Sequence, residues 1–187
     1  MRIECGPCIV RDWHPTDKEA LVRFANNPNI WRNLTDMFPH PYTDADADWW
    51  FSYLAQMDEP THWAIEIDGV AAGGIGVTLG QGIFARSAEF GYWLGEPFWG
   101  RGTMSAAAMA VSRFALAHFD LVRLEAPVFA WNAPSMRVLE KCGFVREGVL
   151  RSSAIKDGHI IDRVMYALIS EGGSRPPSEP HPEDRIA

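Results

Sequence analysis

The sequence predicts a mixed α/β domain, a central twisted mixed sheet of about seven strands with helices on both faces. Three observations carry that prediction. The elements read strand, two or three helices, three strands, helix, strand, helix, two strands, and a helix between strands crosses over right-handed wherever those strands are parallel. Two Asp-Gly pairs, Asp68-Gly69 and Asp157-Gly158, each divide two apolar runs as a hairpin turn does. At 187 residues, with 47% hydrophobic residues and eight tryptophans, the chain can bury one sizeable core. A single domain is expected over residues 1–171. The tail over 172–187, GGSRPPSEPHPEDRIA, is Pro-rich and polar, a composition that favours disorder.

Taken in order, Cys8 to Trp13 reads as a first strand. Thr16 or Asp17 then caps a helix through Lys18–Phe24 that stops near Asn26-Asn27-Pro28, and a short second helix fits Pro28 to Leu34. Two prolines make Phe38-Pro39-His40-Pro41-Tyr42 irregular, after which Thr43 or Asp44 caps a helix through Trp49, Trp50, Phe51, Tyr53 and Leu54. His62–Asp68 and Val70–Leu79 form a hairpin, and Gly73, Gly74 and Gly76 thin its second strand, predicting a bulge or a close backbone approach. A loop over Gly80–Ser87 leads to the central strand Glu89–Leu94, rich in aromatics and stopped by Gly95 and Pro97. Met104, Ala107, Ala108, Val111 and Ala115, with Phe114 offset, have helical spacing. Leu121–Ala130 is a strand with Val122, Leu124, Ala126 and Val128 on one face. Asn132-Ala133-Pro134-Ser135 opens a helix over Ser135–Cys142, closed by Gly143. Phe144–Ala154 and His159–Ile169 complete a final hairpin.

Composition narrows the function. The formal charge is −7, from 24 acidic and 17 basic residues, which disfavours nucleic acid or an anionic membrane as partner and suits cationic substrates such as amines. No apolar run has membrane-spanning length. Met-Arg-Ile-Glu-Cys-Gly lacks the apolar region of a signal peptide, so the cytoplasm is the expected location. The three cysteines give no disulfide framework. Cys5-Gly6-Pro7-Cys8 has the thioredoxin spacing, but that chemistry needs the first cysteine at a helix N-terminus after a strand. No strand is expected before position five, so the pair reads as incidental. The six histidines show no metal-ligand spacing, and no metal is inferred.

Between the central strand and the long helix stands Trp99-Gly100-Arg101-Gly102-Thr103-Met104. Its two glycines leave backbone amides uncovered just where a first helical turn leaves its own amides unpaired. Oriented N–H groups and the helix dipole favour a phosphate or pyrophosphate there, and Arg101 adds a formal charge. No Gly-Lys-Ser/Thr follows, which excludes a Walker loop, and the third glycine of the dinucleotide fingerprint is missing. On these residues alone, a plain strand-to-helix turn is an equal reading.

The segment resembles the acetyl-CoA-binding motif of the GNAT superfamily of N-acetyltransferases, Arg/Gln-x-x-Gly-x-Gly/Ala after a strand. Trp99 departs from it at the Arg/Gln position and Met104 at the last small position, where its side chain would crowd a pyrophosphate. GYWLGEPFWGRG is similar to the RimJ/RimL-type branch, the ribosomal-protein N-terminal acetyltransferases and their relatives. Trp131 to Phe144, WNAPSMRVLEKCGF, is a second matching stretch, and Asp157-Gly158 with Asp162 and Tyr166 a third. The resemblance covers Cys8 to Ser170 and implies the GNAT fold with acetyl-CoA as co-substrate. It assigns the pyrophosphate to Trp99, Gly100, Arg101, Gly102, Thr103 and Met104. Backbone around Trp93 and Leu94 would pair with pantetheine like an added strand, an amide there polarising the carbonyl.

Acetyl transfer from a thioester to an amine needs a neutral nucleophile, a polarised carbonyl and a proton for the departing thiolate. An amine with pKa near 10.4 costs roughly 4.6 kcal/mol to deprotonate at pH 7, an α-amine near 7.8 only about 1 kcal/mol. N-terminal substrates are the easier case. By the resemblance, Glu89 is the general base acting through a water, Ser135 protonates the thiolate, and Asn132 helps to hold pantetheine. Each also has a plainer reading: an ion pair for Glu89, and helix capping for Asn132 and Ser135. Tyr166 is an alternative acid. Trp31, Phe38, Trp49 and Tyr53 would line the acceptor cleft, unless they are core. The acceptor is a protein or peptide N-terminus by likeness, or a small cationic amine such as a polyamine or aminoglycoside. A domain that binds acyl-CoA without turnover is the non-enzymatic alternative. The edge of the final hairpin is open to a second copy of the chain as a homodimer.

Overall fold

The computed structural model describes residues 1–170, in which the strands pair into one mixed sheet. In chain order the elements are β1 (Arg2–Glu4), β2 (Ile9–Arg11), α1 (Lys18–Ala25), α2 (Pro28–Trp31), α3 (Asp44–Ala55), β3 (His62–Ile67), β4 (Val70–Leu79) and β5 (Ser87–Leu94). There follow α4 (Thr103–His118), β6 (Arg123–Phe129), α5 (Ala133–Lys141), β7 (Val145–Lys156) and β8 (His159–Ile169). Across the sheet the order is β1-β2-β3-β4-β5-β6-β8-β7. Every neighbouring pair is antiparallel except β5 and β6, which are parallel and joined through α4.

That parallel pair decides where a ligand can enter. Its pairing lasts three residues, Ser87–Glu89 against Arg123–Glu125. Beyond it, Phe90–Leu94 stays on β4 and Ala126–Phe129 stays on β8. The facing edges of β5 and β6 therefore separate with no strand between them, leaving a wedge-shaped gap in mid-sheet.

Each face of the sheet is covered by helices. On one, Ala107, Ala108, Val111 and Ala115 of α4 are fully buried with Ala88, Phe90 and Leu94 of β5 and Leu124, Ala126 and Val128 of β6. Small side chains let the helix lie close to the strands. On the other face α1 and α3 bury Leu21, Ala25 and Ala47 with Tyr42, and Trp13, Phe38, Trp50, Phe51 and Trp93 pack against them. α3 starts with a capping box, in which Thr43 N donates to Asp46 Oδ2 at 2.7 Å and Asp46 N to Thr43 Oγ1 at 3.4 Å. Both features expected of the glycine-rich strand are present. Ile65 faces Gly73 and Glu66 faces Ala71, so Ala72 is the extra residue of a bulge. A Cβ on Gly73 would stand 2.4 Å from the Trp93 carbonyl oxygen.

Three expectations need correction. A strand does precede position five, because Arg2–Glu4 pairs with β2, and it brings the sheet to eight strands among the described residues, in keeping with the seven or so expected. The cysteines still lack the thioredoxin setting: Cys5 N donates to Cys8 O at 2.8 Å, so they close a hairpin turn and do not open a helix. Burial raises both thiols, that of Cys8 to about 12, the opposite of thioredoxin-type activation. Asp17 does not cap α1 through its side chain; it accepts from Arg11 Nη1 at 2.7 Å, Arg11 Nη2 at 2.9 Å and His14 N at 2.9 Å. The second helix is a single turn, ending at Trp31 and not at Leu34. The expected disordered tail lies outside the described residues.

Candidate active site

At the C-terminal end of β5 the chain turns under Trp99, whose indole Nε1 donates to Leu94 O at 2.6 Å. The tryptophan at the motif's Arg/Gln position thus ties the turn to the strand end. Gly100 and Gly102 follow with φ of 76° and 78°, in the left-handed region that glycine favours. Gly102 is the N-cap of α4 and no side chain caps the helix, so its first-turn amides stay open. Arg101 is exposed beside them, its guanidinium 6.0 Å from the Phe98 ring. Thr103 and Met104 are buried; the Met104 side chain packs in the core and does not crowd the turn.

Across the gap, the end of β6 leads into α5. Asn132 Oδ1 accepts from Ser135 N at 3.2 Å, which makes it the helix cap. The same turn brings Ser135 Oγ to 2.9 Å from the Tyr92 hydroxyl, which also lies 3.2 Å from Ser135 O. Tyr92 points to the α4 side of β5, where burial pushes its phenol up and the Ser135 contact offsets part of that. It stays a neutral O–H at physiological pH and can donate to the serine.

Glu89 faces the opposite side of β5, because successive residues of a strand alternate faces. It stands on the last rung before the gap opens, level with Thr78 of β4 and Glu125 of β6. Partial burial raises its carboxyl, the charge of Glu125 raises it further, and Arg163 offsets some of the effect. Glu125 accepts from Arg123 Nε at 3.2 Å, and Arg123 is itself clamped by both oxygens of Glu147 at 2.9 and 2.6 Å. Glu89 has no such clamp among the described residues, and its carboxylate remains accessible at the narrow end of the gap.

The four aromatic acceptor candidates do not form one surface. Phe38 packs against Trp93 at 5.5 Å and Tyr42 at 5.1 Å. Trp49 stacks on Tyr53 at 5.5 Å, and both are exposed on α3. Trp31 stands apart, with Lys156 Nζ 4.1 Å over its ring and Asp36 2.8 Å from that ammonium. α2 and its flanks reach over the open end of the gap, since Asn27 and Asn29 donate to Glu96 beyond β5 and Trp131 Nε1 beyond β6 donates to Asn33 Oδ1.

Three residues at this site escaped the sequence reading: Tyr92, Glu125 and His62. Alternation along β5 was the available signal for Tyr92, because it puts residue 92 opposite in face to Glu89. Glu125 needed the β5–β6 register, which nothing local encodes. His62 opens β3 on the Glu89 side of the sheet, opposite Gly76, and packs edge-on to Trp50 and Tyr53.

An uncapped glycine turn, a gap between splayed strands, and a carboxylate and a hydroxyl on its two sides thus stand together at the parting of β5 and β6. Residues 8–145 match the model of the acetyltransferase (GNAT) domain, and the chain belongs to that family. It is 37% identical over 82 residues to the uncharacterised N-acetyltransferase p20 of Bacillus licheniformis, a stretch covering 44% of this chain and 46% of p20, so about half of that relative's length is spanned. It is 26% identical over 162 residues to the L-amino acid N-acetyltransferase AaaT of Escherichia coli K12, covering 86% of this chain and 97% of AaaT. Among solved structures, RimL, the ribosomal L7/L12 α-N-protein acetyltransferase in complex with coenzyme A, has the same fold, with a TM-score of 0.80 at 22% identity over 90% of this chain and 98% of RimL. No helix among the described residues is long and apolar enough to cross a membrane.

Proposed function

We propose that this chain moves the acetyl group of acetyl-CoA directly to the α-amine of a protein or peptide N-terminus in a ternary complex, with Glu89 as base and Ser135 as acid. One observation carries the reading: β5 and β6 part after Glu89, so that Glu89 and the Tyr92–Ser135 pair approach one gap from opposite faces of the sheet. Acetyl-CoA supplies an acyl thioester. The free edge of Phe90–Leu94, including Trp93 and Leu94, offers backbone groups to pantetheine, and Asn132 borders it. The open amides of the Gly100–Met104 turn and the Arg101 charge favour the pyrophosphate. Glu89 takes the amine's proton through a water; raising its pKa narrows the gap to an α-amine and makes the transfer less uphill. Ser135 gives its proton to the departing sulfur while Tyr92 donates to Ser135 Oγ. A C–N bond forms, the C–S bond breaks, and each proton has a named destination.

The α-amine is favoured by its lower cost of deprotonation, and RimL is by name an α-N-protein acetyltransferase. Thiol release from acetyl-CoA, measured against N-terminal peptides and against small cationic amines, separates the two acceptor classes. We expect turnover with the peptides that falls by about 100-fold or more in Glu89→Gln. Turnover with the cationic pool alone reverses the acceptor assignment. Tight acetyl-CoA binding with no turnover on either pool replaces the enzyme reading with that of a binding module.

A further inference from the structure

The Glu89 face of the sheet carries a bare patch that no mechanistic residue explains. Rows of paired residues run across β3, β4 and β5 on this face. One row is Ala64, Gly74 and Trp93; the next is His62, Gly76 and Gly91; the one after begins with Thr78 and Glu89. Two glycines in the middle row leave its floor without side chains. A Cβ on Gly91 would meet nothing within 4 Å, so the space above it is open. A Cβ on Gly76 would lie 2.7 Å from His62 Cδ2 and 2.9 Å from Cγ, so the imidazole leans from β3 across β4 towards that space. Trp93 and Glu89 stand two residues either way along β5, each about 7 Å distant. The result is a trough over Gly91, walled by Trp93, Glu89 and His62 and bordered along β5 by the gap.

His62 is fixed both by aromatic packing and by a hydrogen bond. Its ring sits edge-on to Trp50 at 5.4 Å and 87°, and to Tyr53 at 6.2 Å and 71°. Thr61 Oγ1 lies 2.9 Å from Nδ1 and 3.8 Å from Met57 Sδ. Both contacts are satisfied together when the hydroxyl donates to the sulfur and accepts from Nδ1–H, which leaves the lone pair on Nε2. Nε2 has no protein partner among the described residues. Burial pushes the imidazole down to about 4, so it is neutral at physiological pH and presents an acceptor without a repelling charge.

We propose that the trough over Gly91 seats the acceptor's amine end, and that His62 is an acceptor-binding residue whose Nε2 takes a hydrogen bond from an acceptor N–H. This rests on the transferase reading above. A floor of glycine admits main-chain atoms close to the sheet, which suits an amine on a small first residue.

Two variants test the trough from opposite sides. Gly91→Val fills open space on a strand and should fold as wild type, since valine is a better strand former than glycine. His62→Phe keeps the aromatic contacts and removes both nitrogens. With whichever amine the wild type acetylates, each should raise the acceptor KM by about tenfold or more, as loss of a hydrogen bond or of space implies, and leave the acetyl-CoA KM within about twofold. His62→Gln should restore part of the loss. An acceptor KM that both variants leave within twofold overturns the proposal, as does an equal rise in the acetyl-CoA KM. Failure of Gly91→Val to fold contradicts the open space and overturns it too. A wild type inert towards every amine removes the transferase reading itself; an active wild type with unmoved variants removes only the trough.

Discussion

Glu89 combines partial burial with a like charge one strand away, and both oppose its ionised form. To act as the proposed base it must nevertheless be ionised to accept a proton. kcat/KM for acetyl transfer should therefore rise with pH through a midpoint above the ordinary carboxylate range, and Glu89→Gln should lose that limb. The same shift has a consequence for stability. A raised folded-state pKa means the folded protein holds this proton more tightly than the unfolded chain does. The stability so gained is complete below the ordinary carboxylate range, near pH 4, and is lost as pH rises through the raised value. At pH 7 ionised Glu89 weighs against folding. Glu89→Gln should accordingly melt no lower than wild type at pH 7 while losing activity; a lower Tm would make Glu89 a structural residue.

Among the elements, α4 shows how a local pattern leaves a row of backbone amides open, the proposed seat of the pyrophosphate. Its alanines and Val111 repeat at helical spacing and bury it on the sheet, while Gly102 at φ 78° ends the turn without covering the amides. Gly102→Ala forces a side chain into the left-handed region, at a cost of about 1–2 kcal/mol. Its methyl group also stands beside the open amides. Calorimetry should show a lower Tm, and steady-state kinetics a higher acetyl-CoA KM with the acceptor KM unmoved. α3 and α4 were legible in the sequence because periodicity and caps are local: Thr43 capped one as expected, and the glycine turn marked the other. β1 was not, since three residues give too short an alternation to register. Tyr92 and Ser135 meet across 43 positions, a contact that neither segment announces. Asp17 illustrates the competition most directly. An aspartate before a helix reads as a cap, but a buried arginine claimed both of its oxygens.

At the scale of the whole molecule, the sheet order follows from turn chemistry and crossover rules, whereas the gap that makes the site comes from two strands parting after three rungs. No sequence motif specifies that parting; it follows from β5 keeping its register with β4 and β6 with β8. The far side of the sheet depends on a different long-range device. Arg11 of β2 donates to both oxygens of Asp17 ahead of α1 and, at 2.5 Å, to Glu66 of β3, so one buried guanidinium ties two strands to the first helix. Burial pushes Asp17 up, but the Arg11 bonds and the His14 amide outweigh it and hold the carboxyl below its usual range. A depressed folded-state pKa contributes stability that is present above the unfolded value, near 4, and is lost as pH falls through the folded one. Asp17→Asn keeps the shape and removes the charge, leaving Glu66 as the one carboxylate on Arg11, beside the Asp12 carbonyl. Breaking one side of a buried pair in this way should cost roughly 2–3 kcal/mol at pH 7, or about 5–10 °C in Tm for a domain of this size. As the pH is lowered below about 4, the wild type should lose this advantage and the two melting curves should converge. Curves that stay parallel from pH 7 to pH 3 would mean that the Arg11–Asp17 charge pair does not anchor the helix to the sheet.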